Sequence, residues 1–135
     1  MGGTIESLLP RSEDLERELA ILLGLRATGD HPRVLASRQM YSIAFEHGCS
    51  VRLLVAAGNF TSAIGLMRLQ YEALVRGFWL LLAASDESLE HIGRDLSEES
   101  VERLPMIVEM MGALHGKAPD GVMATLSDFR QKSLK

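Results

Sequence analysis

Arg68, Glu72 and Arg76 stand four residues apart in Ser62–Ala84, SAIGLMRLQYEALVRGFWLLLAA, a run that is otherwise almost wholly apolar. Side chains four apart share one stripe of a helix, so the three charges form a single Arg–Glu–Arg ladder. A helix apolar on nearly every side belongs at the centre of a bundle, and charges there must be paired or they are costly. The ladder therefore marks either an internal structural lock, with Glu72 neutralising both arginines and fixing helix register, or a polar site. His47 lies on the apolar stripe of the preceding helix and reads first as a hydrogen-bonded core histidine. Antiparallel packing would carry it, or Glu46 and Arg52, toward the ladder. An Arg–His pair facing a carboxylate suits acid/base work on a phosphodiester, with arginine stabilising the developing charge. The candidate catalytic residues are thus His47, Arg68, Glu72 and Arg76.

Other chemistries find little in the chain. His31, His47, His91 and His115 are scattered, and the one helical ligand spacing, Glu87–His91, falls in a polar segment expected to be exposed. No metal site is expected. The glycines form neither GxGxxG nor GxxxxGK[ST], so no phosphate loop and no cofactor are expected. Cys49 has no His or Lys four residues away, and His47, two residues off, lies on a different face, which reads as an inert, buried thiol.

These residues need helices to position them. Ser12 caps a first helix whose opening turn holds Glu13, Asp14 and Glu16, and residues 1–10 look frayed. Leu15, Leu19, Leu22 and Leu23 form its apolar stripe, and it ends near Arg26, before a turn at Gly29-Asp30. Pro32 opens a second helix that runs to about Ala57. Gly58-Asn59 breaks it, and Asn59 or Thr61 caps the third, Ser62–Ala84. So short a connection makes the two long helices antiparallel. A short polar helix follows around Glu87–Arg94, and Ser97 caps another that opens with Glu98, Glu99 and Glu102. Pro105 kinks that helix or opens a separate turn, after which Met106, Ile107, Met110, Met111 and Leu114 supply a soft apolar face. Gly116–Gly121 is a loop. In the last helix Val122, Leu126, Phe129 and Leu134 share a side that a second copy of the chain is expected to cover. That helix reaches Lys135 without a stop signal, as if cut off.

The 135 residues fit one domain over 1–135, and 47% apolar with 24% charged residues is ordinary for a folded protein. Leu, Ala, Ile, Val and Met dominate over aromatics, which favours helices. Net charge is −4, against a surface devoted to nonspecific nucleic-acid binding. The charge is uneven, since residues 32–84 carry five arginines against only Glu46 and Glu72. Either the flanking acidic helices neutralise this basic centre, or the centre lines an anion-binding groove. One cysteine allows no intramolecular disulfide, and no signal peptide or membrane-spanning run is seen, so a bacterial cytoplasm is the expected compartment.

The run Gly58–Leu82, GNFTSAIGLMRLQYEALVRGFWLLL, resembles a group of bacterial all-helical proteins of unknown function. Their pattern is a small-residue turn, Ser-Ala, Leu-x-Arg, Tyr or Phe followed by Glu, then an aromatic-aliphatic run. Ser62-Ala63, Arg68, Tyr71-Glu72 and Trp79 fill it here. The resemblance extends over roughly residues 32–115. These proteins look distantly related to the HEPN (higher eukaryote and prokaryote nucleotide-binding) bundles, many of them ribonucleases of toxin–antitoxin and phage-defence systems. HEPN ribonucleases use Arg-x(4–6)-His on a late helix, and the one such spacing here, Arg26–His31, falls in the Gly29-Asp30-Pro32 turn. The resemblance implies an all-α antiparallel bundle of four to six helices, HEPN-like. Its implied function is a toxin–antitoxin or phage-defence component working by self-association, as a homodimer, or by binding a protein partner. The alternative is a ribonuclease or nucleotide-binding protein using the Arg/His/Glu site on RNA or a nucleotide. The incomplete site and acidic charge lean away from catalysis by this chain alone, and no membrane association is expected.

Overall fold

Thr4 is where helical structure begins: its hydroxyl accepts from the Ser7 N–H at 3.3 Å, and its carbonyl accepts from Ser7 and Leu8 at 3.0 and 3.1 Å. A computed structural model describes residues 3–24, 31–94 and 104–133, with six helices and no strand among them. The first, α1, spans Ile5–Gly24 and runs through both Pro10 and Ser12. The expected cap at Ser12 and the frayed residues before it are therefore corrected, because Thr4 supplies an earlier cap of the same chemistry. The turn at Gly29-Asp30 and the helix expected after Ser97 lie outside the described residues.

Helix α2 spans Pro32–Ala56, with proline at its first position and the His31 ring accepting from the Arg33 N–H at 3.2 Å. It closes on Gly58, whose φ of 79° only glycine adopts freely. There Asn59 donates to Leu54 and Gly58 to Val55, the paired bonds that satisfy a helix's last carbonyls. Helix α3, Phe60–Leu82, returns antiparallel from this turn. At the far end the Arg33 guanidinium donates to the Leu80 carbonyl at 2.8 Å and reaches Asp86 at 3.2 Å, tying the start of α2 to the end of α3.

Between these two clamps the helices meet along small residues. Ser37 and Ala44 of α2 and Ala63, Ala73 and Gly77 of α3 are all buried. The Tyr41 ring lies so close to Gly77 that a Cβ there would sit 2.5 Å from it, and one on Gly48 would sit 2.8 Å from the Gln70 amide. These two contacts set the register of the hairpin.

Three shorter helices complete the fold: α4, Asp86–Arg94; α5, Ile107–Leu114; and α6, Asp120–Ser133. Ser85 caps α4 through the Ser88 N–H at 3.2 Å. Pro105 precedes α5 rather than kinking it, and the Glu109 carboxylate accepts from the Met106 N–H at 2.7 Å. The core joins the C-terminal half of α3 (Tyr71, Val75, Trp79, Leu80) to Met110, Met111 and Leu114 of α5 and Met123 and Leu126 of α6. Phe129 stacks on Tyr71 with ring centres 5.2 Å apart. The apolar side of α6 is thus spent on the core, and the expectation that a second copy covers Leu126 and Phe129 is overturned. The sequence-expected α5 face is likewise trimmed, since Met106 stands 72% exposed.

Substituting Gly77 tests the seam. Gly77→Ala should lower stability by about 1–3 kcal/mol through overpacking against Tyr41, outweighing the helix preference of alanine. Gly65→Ala, on the same helix with nothing within 4 Å, should gain about 0.4–1 kcal/mol. Chemical denaturation of both variants checks the contrast.

Candidate functional site

Only the N-terminal part of α3 escapes the core, and the ladder straddles that boundary. Arg68 is exposed, and among the described residues it makes no ion pair. Arg76 reaches Glu72 at 3.3 Å, with the two side chains 40% and 38% exposed. The expectation of a solvent-shielded lock is therefore overturned: helices α5 and α6 cover α3 from Tyr71 onward but leave the charged stripe at the surface. His47 is half-buried, and among the described residues it makes no hydrogen bond. The hairpin register sets it at the level of Tyr71, but the candidate set is joined by contact only between Glu72 and Arg76.

The hairpin's other arginines find partners on flanking helices. Arg52 is bonded to Glu16 of α1, Arg38 donates to the Leu23 carbonyl at the end of α1, and Arg33 meets Asp86 of α4. Flanking carboxylates neutralise Arg52 and Arg33, while the Arg38 bond goes to a backbone carbonyl.

The pairing of Arg52 with Glu16 belongs to a second polar cluster, which the spacing of residues did not reveal. Arg52 and Glu16 are only 21% and 17% exposed. The Cys49 thiol also lies beside the Glu16 carboxylate, and this polar neighbour, with Arg52, holds Glu16 below its ordinary pKa against the opposing effect of burial. Burial first, then the polar interaction with the Glu16 carboxylate and after it that carboxylate's charge, push the Cys49 thiol up to about 11. Cys49 is thus a hydrogen-bond donor at neutral pH, not a nucleophile. The Glu16 bond in turn holds Arg52 above its ordinary value.

This cluster stands in the wall of a cavity of about 880 Å3 between α1 and the α2–α3 hairpin. The rest of the lining is mainly aliphatic and aromatic, with Leu8, Leu19 and Leu22 from α1 facing Phe45, Leu74 and Phe78 from the hairpin. Tyr41 also borders it, edge-on to Phe78 with ring centres 5.3 Å apart. The Tyr41 hydroxyl is buried without a partner, and that burial raises it to about 12. Among the described residues no acid/base group near neutral pH lines the space. No group of His, Cys, Asp or Glu suited to hold a metal occurs among the described residues.

A family model described as a family of unknown function, DUF6988, matches residues 41–135. The chain belongs to this family. The matched segment takes in most of α2 and everything after it, including the ladder, Cys49 and Arg52, whereas α1 and Glu16 precede it. No curated protein matches the chain. No solved structure does either. No helix among the described residues is long and apolar enough to cross a membrane.

Two measurements follow from this geometry. Glu72→Ala should cost less than about 1 kcal/mol in a thermal or chemical melt, because a pair so open to water contributes little. Alkylation of Cys49 by iodoacetamide at pH 8 should run roughly tenfold or more below that of free cysteine and keep rising above pH 10. Glu16→Gln should move that pH profile downward.

Proposed function

We propose that this DUF6988 chain works by association, as a helical module that pairs with a second copy of itself. The observation that carries this reading is α1. None of its 20 residues is buried, and Ile5, Leu8, Leu15, Leu19, Ile21 and Leu22 are each 39–69% exposed. Leu53 of α2 and Phe60, Ile64 and Leu69 of α3 add exposed apolar surface. Apolar surface gathered on consecutive elements marks an interface, and a twofold pairing of like faces is the commonest way to bury it. Charge supports the same pairing: α1 carries five carboxylates against two arginines, and the α2–α3 hairpin five arginines against two glutamates. The setting this reading takes from the HEPN resemblance is a toxin–antitoxin or phage-defence system in a bacterial cytoplasm, where a distinct protein partner would use the same surface. Light scattering at micromolar concentration should give twice the 14.8 kDa chain mass, and Leu22→Glu should return it to monomer. A mass of one chain for the parent would remove the proposal.

A second reading is favoured by the openness of the ladder. Arg68, which has no counter-ion among the described residues, and the half-exposed Glu72–Arg76 pair beside it offer cationic groups that RNA or a nucleotide can reach, as an HEPN-like site would require. Binding should then weaken steeply with salt and fall in Arg68→Ala. Titration with single-stranded RNA at low salt that shows no binding would eliminate this reading.

A further inference from the structure

The cavity between α1 and the hairpin opens onto the surface invoked for association and shares Ile5, Leu8, Leu15, Leu19 and Leu22 with it, but its polar wall is specific enough to name a different occupant. Its volume, about 880 Å3, lies within the range of sites that enclose a drug-sized molecule. A space lined this heavily by aliphatic and aromatic groups is a poor host for water, which needs several polar partners at once.

The polar part of the lining narrows the ligand. Glu16 and Arg52 contribute opposite charges and are bonded to each other, and the Cys49 thiol is committed to Glu16. No charge is left over to receive an ionised group. Gln70 is different. Its amide lies over Gly48, where the missing Cβ leaves it room, and it makes no hydrogen bond among the described residues. That leaves both a donor and an acceptor at the cavity wall. A face of aliphatic side chains from a second protein would leave that amide unpaired. A small molecule with one neutral polar group would not.

We propose that this cavity binds one neutral, mainly aliphatic small molecule bearing a single hydroxyl, ester or amide group, with its body against Leu19, Phe45, Leu74 and Phe78 and its polar group at Gln70. Glu16 and Arg52, closed on each other, select against ionised amphiphiles such as free fatty acids.

The test uses the full chain and the neutral fluorophore N-phenyl-1-naphthylamine, with 1-decanol and decanoate as competitors. One probe should bind per chain, and decanol should displace it at least tenfold more effectively than decanoate. Gln70→Leu should keep the probe but weaken decanol as a competitor, because the alcohol's hydroxyl loses its partner, while decanoate stays the poorer competitor. Cys49, the only cysteine and part of the cavity wall, serves as reporter: saturating probe should slow its alkylation at pH 9.5 at least tenfold. Leu19→Trp, at a position partly open to solvent, should abolish binding by filling the space. If that variant does not fold, protection of Cys49 in the parent chain still decides the matter. Absence of saturable binding would overturn the proposal, as would binding that leaves Cys49 labelling unchanged. Equal displacement by decanoate would overturn the charge argument. Probe binding that declines as chain concentration rises would show that a second copy occupies the cavity instead.

Discussion

The rest of the molecule depends on the contact between the Tyr41 ring and the bare backbone of Gly77. It permits α2 and α3 to approach along a seam of Ser, Ala and Gly, and it fixes which residues of the two helices face each other. A shift by one helical position would drive a side chain into the ring. The turn at Gly58 and the Arg33 bonds to Leu80 and Asp86 secure the two ends of the hairpin. With that register set, the C-terminal half of α3 presents Val75, Trp79 and Leu80 to α5 and α6. The small-residue seam and the large-residue core are different faces of one helix, and neither can form if α3 rotates.

Helix α1 stands outside this arrangement. It reaches the hairpin through Glu16 to Arg52 and through the Leu23 carbonyl to Arg38, and its leucines border a void rather than filling one. That asymmetry organises the functional account. The exposed apolar face of this helix, which a partner would bury, is also one wall of the open cavity. Its polar attachment also explains the chemistry of Cys49: Glu16 can neutralise Arg52 only by sitting beside the thiol, and so it suppresses thiolate formation as burial does. The cluster that looks reactive by composition is thereby held inert.

The two long helices were legible in the sequence because their limits are local events. Pro32 opens α2 and Gly58-Asn59 ends it whatever the rest of the chain does, and the brevity of that turn forces antiparallel pairing. The all-helical class followed from apolar periodicity in the same way. The beginning of α1 is hidden because Ser12, followed by Glu13, Asp14 and Glu16, matches a helix start, whereas the helix is capped earlier, at Thr4, and runs through Pro10. The ladder was misplaced for another reason. Apolar residues surround Arg68 in sequence, but whether they are covered depends on where α5 and α6 land, and those helices lie some forty residues on. Phe129 shows the reverse: it reads as a free surface in its own helix, and its cover, the Tyr71 ring stacked on it, is far away in sequence. The Glu16–Cys49–Arg52 cluster joins α1 to α2, which are separate in sequence, and no periodicity within either helix announces it.

The central claim is that the seam and core form the stable body of the fold, with α1 held against it over a cavity. Amide hydrogen exchange reads this directly, because local opening reports the free energy of each segment separately. In dilute, ligand-free protein, the amides of Tyr71–Leu80 should be the slowest to exchange, and those of Leu15–Leu23 at least a hundredfold faster. Equal protection of α1 and α3 would contradict the account.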